Sequence, residues 1–332
     1  MTTLAKLTSI FSHTNILQPI LNALKRLIWA NSATILMNLK HFKLQEFDSP
    51  DAKGSGDKMD KLFLQKLGLV QKLKTNILII TDTHTHLYSE AFDEDRNEII
   101  NRAIEHGVTR FFVPAIDSTY TKSMLQLENN FPKNVFLMMG LHPTHVKEDY
   151  KNELKHVEDM LAKRKFYAVG EIGIDLYWDK STLDIQKKVF KHQIQLAKHY
   201  KLPIVIHCRE AFDEIFEVLE SEKGDDLFGI FHCFAGTLDQ AHQAISYNMK
   251  LGIGGVATFK NGKIDQFLNQ IDLKHIVLET DSPYLAPVPY RGKRNESVYI
   301  LKVLEKLSLL YNRSQEDIAN ITTENSKNVF KV

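Results

Sequence analysis

Residues 77–86 read Ile-Leu-Ile-Ile-Thr-Asp-Thr-His-Thr-His. A short β-branched apolar run that ends in a polar tail is the pattern of a buried strand. On a strand, residues two apart face the same side, so His84 and His86 project together near its C-terminal end. Two adjacent imidazoles repel when both are charged. When both are neutral they form a good pair of ligands for a divalent cation. A His-x-His sequence on its own is weak evidence, so the reading depends on what surrounds it.

The same grammar recurs along the chain. Strand-like runs are expected at 77–86, 109–116, 135–141, 167–174, 203–208, 228–233, 251–259 and 275–281. Between them lie stretches such as 96–106, 182–200 and 211–220, where apolar residues recur at three- and four-residue spacing, the period of an amphipathic helix. Eight strands each followed by a helix imply parallel pairing through right-handed crossovers. Eight such units from residue 77 to residue 332 match the usual size of a (β/α)₈ TIM barrel, about 250 residues. An open doubly wound sheet is the rival. Gly252, Gly254 and Gly255 lie inside a strand-like run and make a poor dinucleotide fingerprint.

In a barrel, the C-terminal strand ends meet at one face, where active sites are found. Glu171 closes Tyr-Ala-Val-Gly-Glu, His207 closes Pro-Ile-Val-Ile-His, His232 closes Gly-Ile-Phe-His, and Asp281 closes His-Ile-Val-Leu-Glu-Thr-Asp. Any one of these is more simply read as a strand-end polar group with a satisfied hydrogen bond. Together with His84 and His86, however, they aim four imidazoles and two carboxylates at one small volume. Such a donor set suits two divalent ions. Mixed nitrogen and oxygen ligands favour Zn²⁺, Mn²⁺ or Fe²⁺, whereas Mg²⁺ prefers oxygen and keeps its waters. The expected cofactors are therefore divalent ions, two per chain, drawn from Mg²⁺, Mn²⁺ or Zn²⁺. A metal pair lowers the pKa of a bridging water and clamps both oxygens of an in-line displacement. Glu171, from a middle strand, is the expected bridging ligand, and Asp281 is the expected acceptor of the proton from the attacking water. These two are the catalytic candidates.

Six motifs occur in order at barrel spacing: Asp-Thr-His-Thr-His (82–86), Gly-Leu-His-Pro (140–143), Ala-Val-Gly-Glu-Ile-Gly-Ile-Asp (168–175), Pro-Ile-Val-Ile-His-Cys-Arg (203–209), His-Cys-Phe-Ala-Gly (232–236) and Glu-Thr-Asp-Ser-Pro-Tyr-Leu-Ala-Pro (279–287). In these the chain resembles the TatD family of deoxyribonucleases from residue 77 to residue 332. The resemblance implies metal-dependent hydrolysis of DNA, commonly 3′→5′ exonuclease action on single-stranded ends, with DNA as the partner. It also implies ligand roles for His84, His86, Glu171, His207, His232 and Asp281. The departure from the family is the 76-residue prefix, since members usually begin close to the first strand.

Around this core lie candidate substrate contacts. His142, in Gly-Leu-His-Pro, is expected beside the site, holding a phosphate or making a structural hydrogen bond. Arg209 shares the strand parity of His207. Its guanidinium could fork onto a phosphate or pair with Glu171, Asp175 or Glu210. The loop after the eighth strand carries Tyr290, Arg291, Lys293 and Arg294, an aromatic ring among cations that suits a nucleic-acid strand. A solvated loop is the plainer alternative. Tyr177 and Trp178 read either as a stacking wall or as core. Cys208 and Cys233 alternate away from the neighbouring histidines and read as buried small apolar groups facing the helices.

The prefix, residues 1–76, is expected to be a loosely helical or disordered extension. Residues 1–45 contain no Asp or Glu but carry Lys6, Lys25, Arg26, Lys40 and Lys43, and residues 48–60 have the composition of a linker. Three readings stay open: a transit peptide, an extension, or a stretch upstream of a start at Met59. The expected location is cytoplasmic, or organellar if the prefix is a transit peptide.

With 42 basic and 41 acidic residues, formal net charge +1, the composition excludes a polyanion-coating protein, so any contact with nucleic acid must come from a local patch. Two cysteines are too few for a disulfide framework, and no apolar run reaches the roughly 18 residues of a membrane span. No obligate protein partner is evident. The alternative enzyme is a metal-dependent deacylase or amidohydrolase, acting for instance on D-aminoacyl-tRNA. Many binuclear amidohydrolases use a carboxylated lysine where this chain has Glu171, which favours the nuclease branch. A non-catalytic scaffold would keep the barrel without needing all six ligand types.

Overall fold

The computed structural model of the protein describes residues 78–332. The expectations for the prefix lie outside the described residues. Eight short strands run β1 Ile80–Asp82, β2 Val108–Val113, β3 Val135–Leu137, β4 Val169–Asp175, β5 Ile204–Arg209, β6 Gly229–Phe231, β7 Met249–Ile253 and β8 Ile276–Leu278. Every ladder is parallel, and neighbours in sequence are neighbours in space. The continuous ladders give a three-stranded sheet and a five-stranded sheet. Two isolated bridges, Met139 with Val169 and Thr85 with Ser282, join them at both seams. Bonds such as Thr83 N–H to Leu278 O (3.0 Å) and Met139 N–H to Ala168 O (3.1 Å) complete the closure. The result is a (β/α)₈ barrel.

Helices cover the outside: α1 Arg96–Glu105, α2 Thr121–Asn130, α3 Tyr150–Lys163, α4 Leu183–Tyr200, α5 Phe212–Ser221, α6 Leu238–Ser246, α7 Ile300–Tyr311 and α8 Gln315–Phe330. Two of their starts carry a side-chain cap. Thr237 and Gln240 form a reciprocal capping box at α6, and the Ser314 hydroxyl accepts the Asp317 N–H at α8. No helix among the described residues is long and apolar enough to cross a membrane.

The expectation of a helix after every strand fails once. Between β7 and β8 the chain makes four 3₁₀ turns, and the strand expected at 251–259 ends at Ile253. A Cβ on Gly255 would stand 2.0 Å from the Leu285 carbonyl oxygen. This close backbone approach, with Gly254 beside it, turns the chain out of the ladder. Two helices, α7 and α8, follow β8 instead.

The core has two parts. One set of strand residues, with Ile204, Ile206, Phe231, Ile276 and Leu278 among them, packs with the helices. A second cluster gathers Phe112, Met138, Ala168, Val205, Ile230 and Val277 with Val329 and Phe330 from the end of α8. Its members come from six strands or their ends, so it is the barrel interior. Phe330 stacks on Phe112 at 3.6 Å between centroids and plugs the lower mouth. Val205, Ile230 and Val277 each precede by two residues the polar groups His207, His232 and Glu279. The pleat therefore carries the interior from apolar plug to polar floor.

Candidate metal centre

The polar residues above that plug meet at the C-terminal ends of the strands. His84 and His86 lie just beyond β1, His142 beyond β3, Glu171 and Asp175 in β4, His207 in β5, His232 just beyond β6, and Glu279 and Asp281 beyond β8. Two local irregularities aim them. In β4, Gly170 pairs with Val205 and Ile172 with Ile206, so Glu171 is the extra residue of a bulge. A bulge re-aims one side chain without disturbing the ladder. Asp281 has φ 56°, and the turn to Ser282 and Pro283 begins there. Gly173, at φ 144°, allows β4 to lie close on β5, where a Cβ would stand 2.0 Å from the His207 carbonyl oxygen.

The geometry divides around the Glu171 carboxylate. Its Oε2 lies 3.1 Å from His84 Nε2 and 3.7 Å from His86 Nε2. Its Oε1 lies 2.8 Å from His207 Nδ1, 3.3 Å from His142 Nε2 and 3.7 Å from His232 Nε2. Asp281 Oδ1 faces His86, His232 and His84 at 3.5, 3.7 and 3.9 Å. The Nε2 atoms of His84 and His86 are 3.3 Å apart, and the rings of His84 and His232 stack at 3.4 Å. Among the described residues four sets of donor atoms each converge within 4.8 Å: His84, His86 and Glu171; His84, His232 and Asp281; His142, Glu171 and His207; and His232, Cys233 and Glu279.

Burial alone would raise the Glu171 carboxyl, but the surrounding histidines, His142 and His84 foremost, hold it well below the ordinary carboxylate range. Burial likewise opposes ionisation of Asp281, and His232 and His86 more than offset it. Burial drives His142 down to about 4 and lowers His84. Burial also works against a charge on His232, yet Glu279, then Glu171 and Asp281, push it up to about 10. Burial thus favours the neutral form of His84 and His142, while the carboxylates of the pocket favour the charged form of His232 and His207. Buried nitrogen and carboxylate donors in a negative field are the chemistry of a divalent-cation site.

A further layer holds the donors in place, and several of its members escaped sequence reasoning. His86 Nδ1 shares a 2.9 Å hydrogen bond with the Tyr88 hydroxyl, and His207 Nε2 shares one of 2.9 Å with Asp175 Oδ2. Glu279, fully buried, accepts the Cys233 N–H at 2.7 Å through Oε1, which lies 3.0 Å from His232 Nδ1. Its Oε2 is buried without a hydrogen-bond partner among the described residues, in space that a Cβ on Gly252 would fill at 2.1 Å. Such outer carboxylates orient ligating imidazoles and raise their basicity. The signal was present in Glu279, two residues before Asp281, and in Tyr88, two residues after His86.

The structure brings all six expected ligands together and adds His142 to their circle. The expected substrate contacts scatter. Arg209 is exposed, lies 3.8 Å over the Tyr177 ring, and forms no ion pair with Glu171, Asp175 or Glu210. Arg294 is spent inside the fold. Its guanidinium holds Asp95 through two bonds of 2.8 and 2.5 Å and the Ala91 carbonyl at 2.8 Å, since a half-buried cation takes the nearest fixed acceptors. Tyr290 stacks flat on Tyr299 at 3.9 Å, and Arg291 lies over Phe259 at 3.8 Å. Lys293 makes no ion pair among the described residues. Cys208 packs against the helix-side core as expected, its thiol pushed up to about 12 by burial. Cys233 departs from the expectation. At φ 45° it leaves strand geometry, and its sulfur falls within 4.8 Å of His232 and Glu279 donor atoms rather than among the helices.

Known proteins share this arrangement of sequence and fold. An uncharacterized metal-dependent hydrolase of Bacillus subtilis, YabD, is 39% identical over 257 residues, which cover 76% of this chain and all of that protein. The crystal structure of YjjV, a TatD homolog from Escherichia coli, superposes with a TM-score of 0.73 at 29% identity, covering 77% of this chain and 99% of that one. A TatD family hydrolase from Entamoeba histolytica shares the fold with a TM-score of 0.67 at 21% identity, covering 76% of this chain and 98% of that one. Residues 81–331 match the family described as TatD related DNase, and to that family of metal-dependent hydrolases this chain belongs.

Proposed function

We propose that this protein is a metal-dependent deoxyribonuclease that shortens single-stranded DNA from its 3′ end. One observation carries the reading: the two Glu171 oxygens face different sets of nitrogens, with Oε2 toward His84 and His86 and Oε1 toward His207, His142 and His232. A carboxylate so placed suits two cations. His84, His86, Asp281 and Glu171 Oε2 would hold one, and His207, His232 and Glu171 Oε1 the other, with His142 alongside. Divalent ions bound there supply Lewis acidity toward a phosphoryl oxygen and a lowered pKa for water. The mixed nitrogen and oxygen donors favour Zn²⁺ or Mn²⁺ over Mg²⁺.

The chain's own groups supply the rest. Asp281, held ionised and 14% exposed where Glu171 is 2% exposed, is the carboxylate open to the substrate side. It accepts a proton from the water that attacks phosphorus. The P–O3′ bond breaks as O from water bonds to phosphorus, O3′ of the shortened strand takes a proton from solvent and leaves as a hydroxyl, a 5′-mononucleotide departs, and Asp281 returns its proton to solvent. Asp175 and Glu279 keep His207 and His232 oriented throughout. On this reading residues 77–332 are the catalytic domain, and residues 1–76 take no part in the chemistry.

The test is digestion of a 5′-labelled single-stranded oligonucleotide with Mg²⁺, Mn²⁺ or Zn²⁺, comparing wild type, Glu171→Ala and a chelator control. A ladder that shrinks from the 3′ end and is lost in both controls is the expected result. An oligonucleotide left intact in every lane refutes the nuclease and turns attention to amide and ester substrates, D-aminoacyl-tRNA among them.

A further inference from the structure

We infer that Tyr177, Trp178 and Arg209 form a base-stacking subsite that grips a nucleotide of a single strand beside the metal centre; this rests on the nuclease reading above. Three observations carry it. The two aromatic rings are presented to solvent, Tyr177 50% and Trp178 70% exposed, and meet edge to face at 4.9 Å. This excludes core packing as their role. The Arg209 guanidinium lies 3.8 Å over the Tyr177 ring and 5.7 Å from Trp178, with no carboxylate partner among the described residues. A cation and two exposed π faces offer what a nucleotide needs, stacking for the base and charge for its phosphate.

The third observation is the mounting. Asp175 Oδ1 accepts the backbone N–H groups of both Tyr177 (3.0 Å) and Trp178 (3.3 Å), while its Oδ2 holds His207 Nε2 at 2.9 Å. One buried carboxylate therefore fixes both the aromatic loop and a histidine of the centre. Gln186, buried on α4, brackets the Asp175 backbone, accepting its N–H at 2.8 Å and donating to its carbonyl at 3.1 Å. Arg209 follows His207 by two residues on β5, about 7 Å along the strand, which is within reach of the nucleotide next to the cleaved bond. Every base has a π face, so the subsite reads single-strandedness rather than sequence. Bases inside a duplex are already stacked and cannot enter it.

The experiment uses the metal-loaded full-length protein and octathymidylate with phosphorothioate linkages, which resist cleavage, against an abasic octamer of the same linkages. Trp178 is one of two tryptophans, so a Trp29→Phe background makes its fluorescence readable. Quenching by the thymidylate is expected. Because the Trp178 variants carry no reporting tryptophan, their Kd values are read from the anisotropy of 5′-fluorescein-labelled octamers: Trp178→Ala should raise the thymidylate Kd on the order of tenfold, leave the abasic Kd unchanged, and raise KM with little change in kcat on cleavable DNA. Trp178→Phe should bind thymidylate nearly as wild type does. If Trp178→Ala binds thymidylate like wild type, or loses both octamers equally, the subsite is overturned. The parent reading fails separately. Unmodified DNA left intact while quenching persists removes the nuclease and keeps the subsite, and intact DNA without quenching removes both.

Discussion

Arg294 separates two accounts of the rim, because the sequence reads it as a nucleic-acid contact or part of a solvated loop and the structure pairs it with Asp95 within the fold. Replacing it with alanine removes a two-bond guanidinium–carboxylate pair with Asp95, a bond to the Ala91 carbonyl, and a guanidinium lying 4.9 Å over the buried Phe92 ring. Both partners of the ion pair are about a third exposed, so solvent screening limits that pair to about 1 kcal/mol. The carbonyl bond adds about 1 kcal/mol and the ring about 0.5 kcal/mol. The expected loss is about 2.5 kcal/mol, which for a domain of this size lowers Tm by roughly 5–10 °C. The loss has a pH signature. The Arg294 hydrogen bond holds the Asp95 carboxyl below its ordinary range. The ion-pair part of the stabilisation is therefore complete above the unfolded Asp pKa, about 3.9, and disappears as pH falls through the lower folded value, while the carbonyl bond and ring contact remain. Thermal melts of wild type and Arg294→Ala should be well separated at pH 7 and draw closer in strong acid, with KM for an oligonucleotide nearly unchanged at temperatures where both are folded. An unaltered Tm with a several-fold higher KM would return Arg294 to the substrate and refute the structural assignment.

Two further outcomes concern the centre itself. Glu279→Gln keeps the shape but removes the charge beside His232 Nδ1, so divalent-metal affinity should fall about 10- to 100-fold; competition against a chromophoric chelator measures it, and unchanged affinity removes Glu279 from any positioning role. Returning Zn²⁺ or Mn²⁺ to chelator-treated protein should raise Tm, by the equivalent of about 2.7 kcal/mol when free metal reaches 100 times Kd. That gain should vanish in Glu171→Ala, and a melt indifferent to metal in the wild type counts against the site.

Much of the barrel was legible because its signals are local. Apolar runs ending in one polar residue marked the strand positions, and three- and four-residue spacing marked α1, α4 and α5 to within a residue or so. Strand lengths were overread. The polar ends of β1, β3 and β8 lie past the last ladder pair, where the chain bends toward the centre, so β1 closes at Asp82 and β8 at Leu278. The segment between β7 and β8 was misread for a related reason, since its course follows the approach of Gly255 to Leu285 rather than its own periodicity.

The sequence by itself determined that polar residues of ligand type stand at the ends of several parallel strands, because alternation and apolar runs are encoded within a few neighbouring residues. Only the tertiary structure decided how they meet. The bulge that turns Glu171 inward, the left-handed backbone at Cys233 and Asp281, and the entry of His142 into the circle all depend on strands brought together by barrel closure. The fate of the cations was decided there too. Arg294 found Asp95 across 199 residues, while Arg209 was left on two exposed aromatic rings. A charged side chain takes whichever acceptor the fold sets nearest, and that distance is written in no local stretch of the chain.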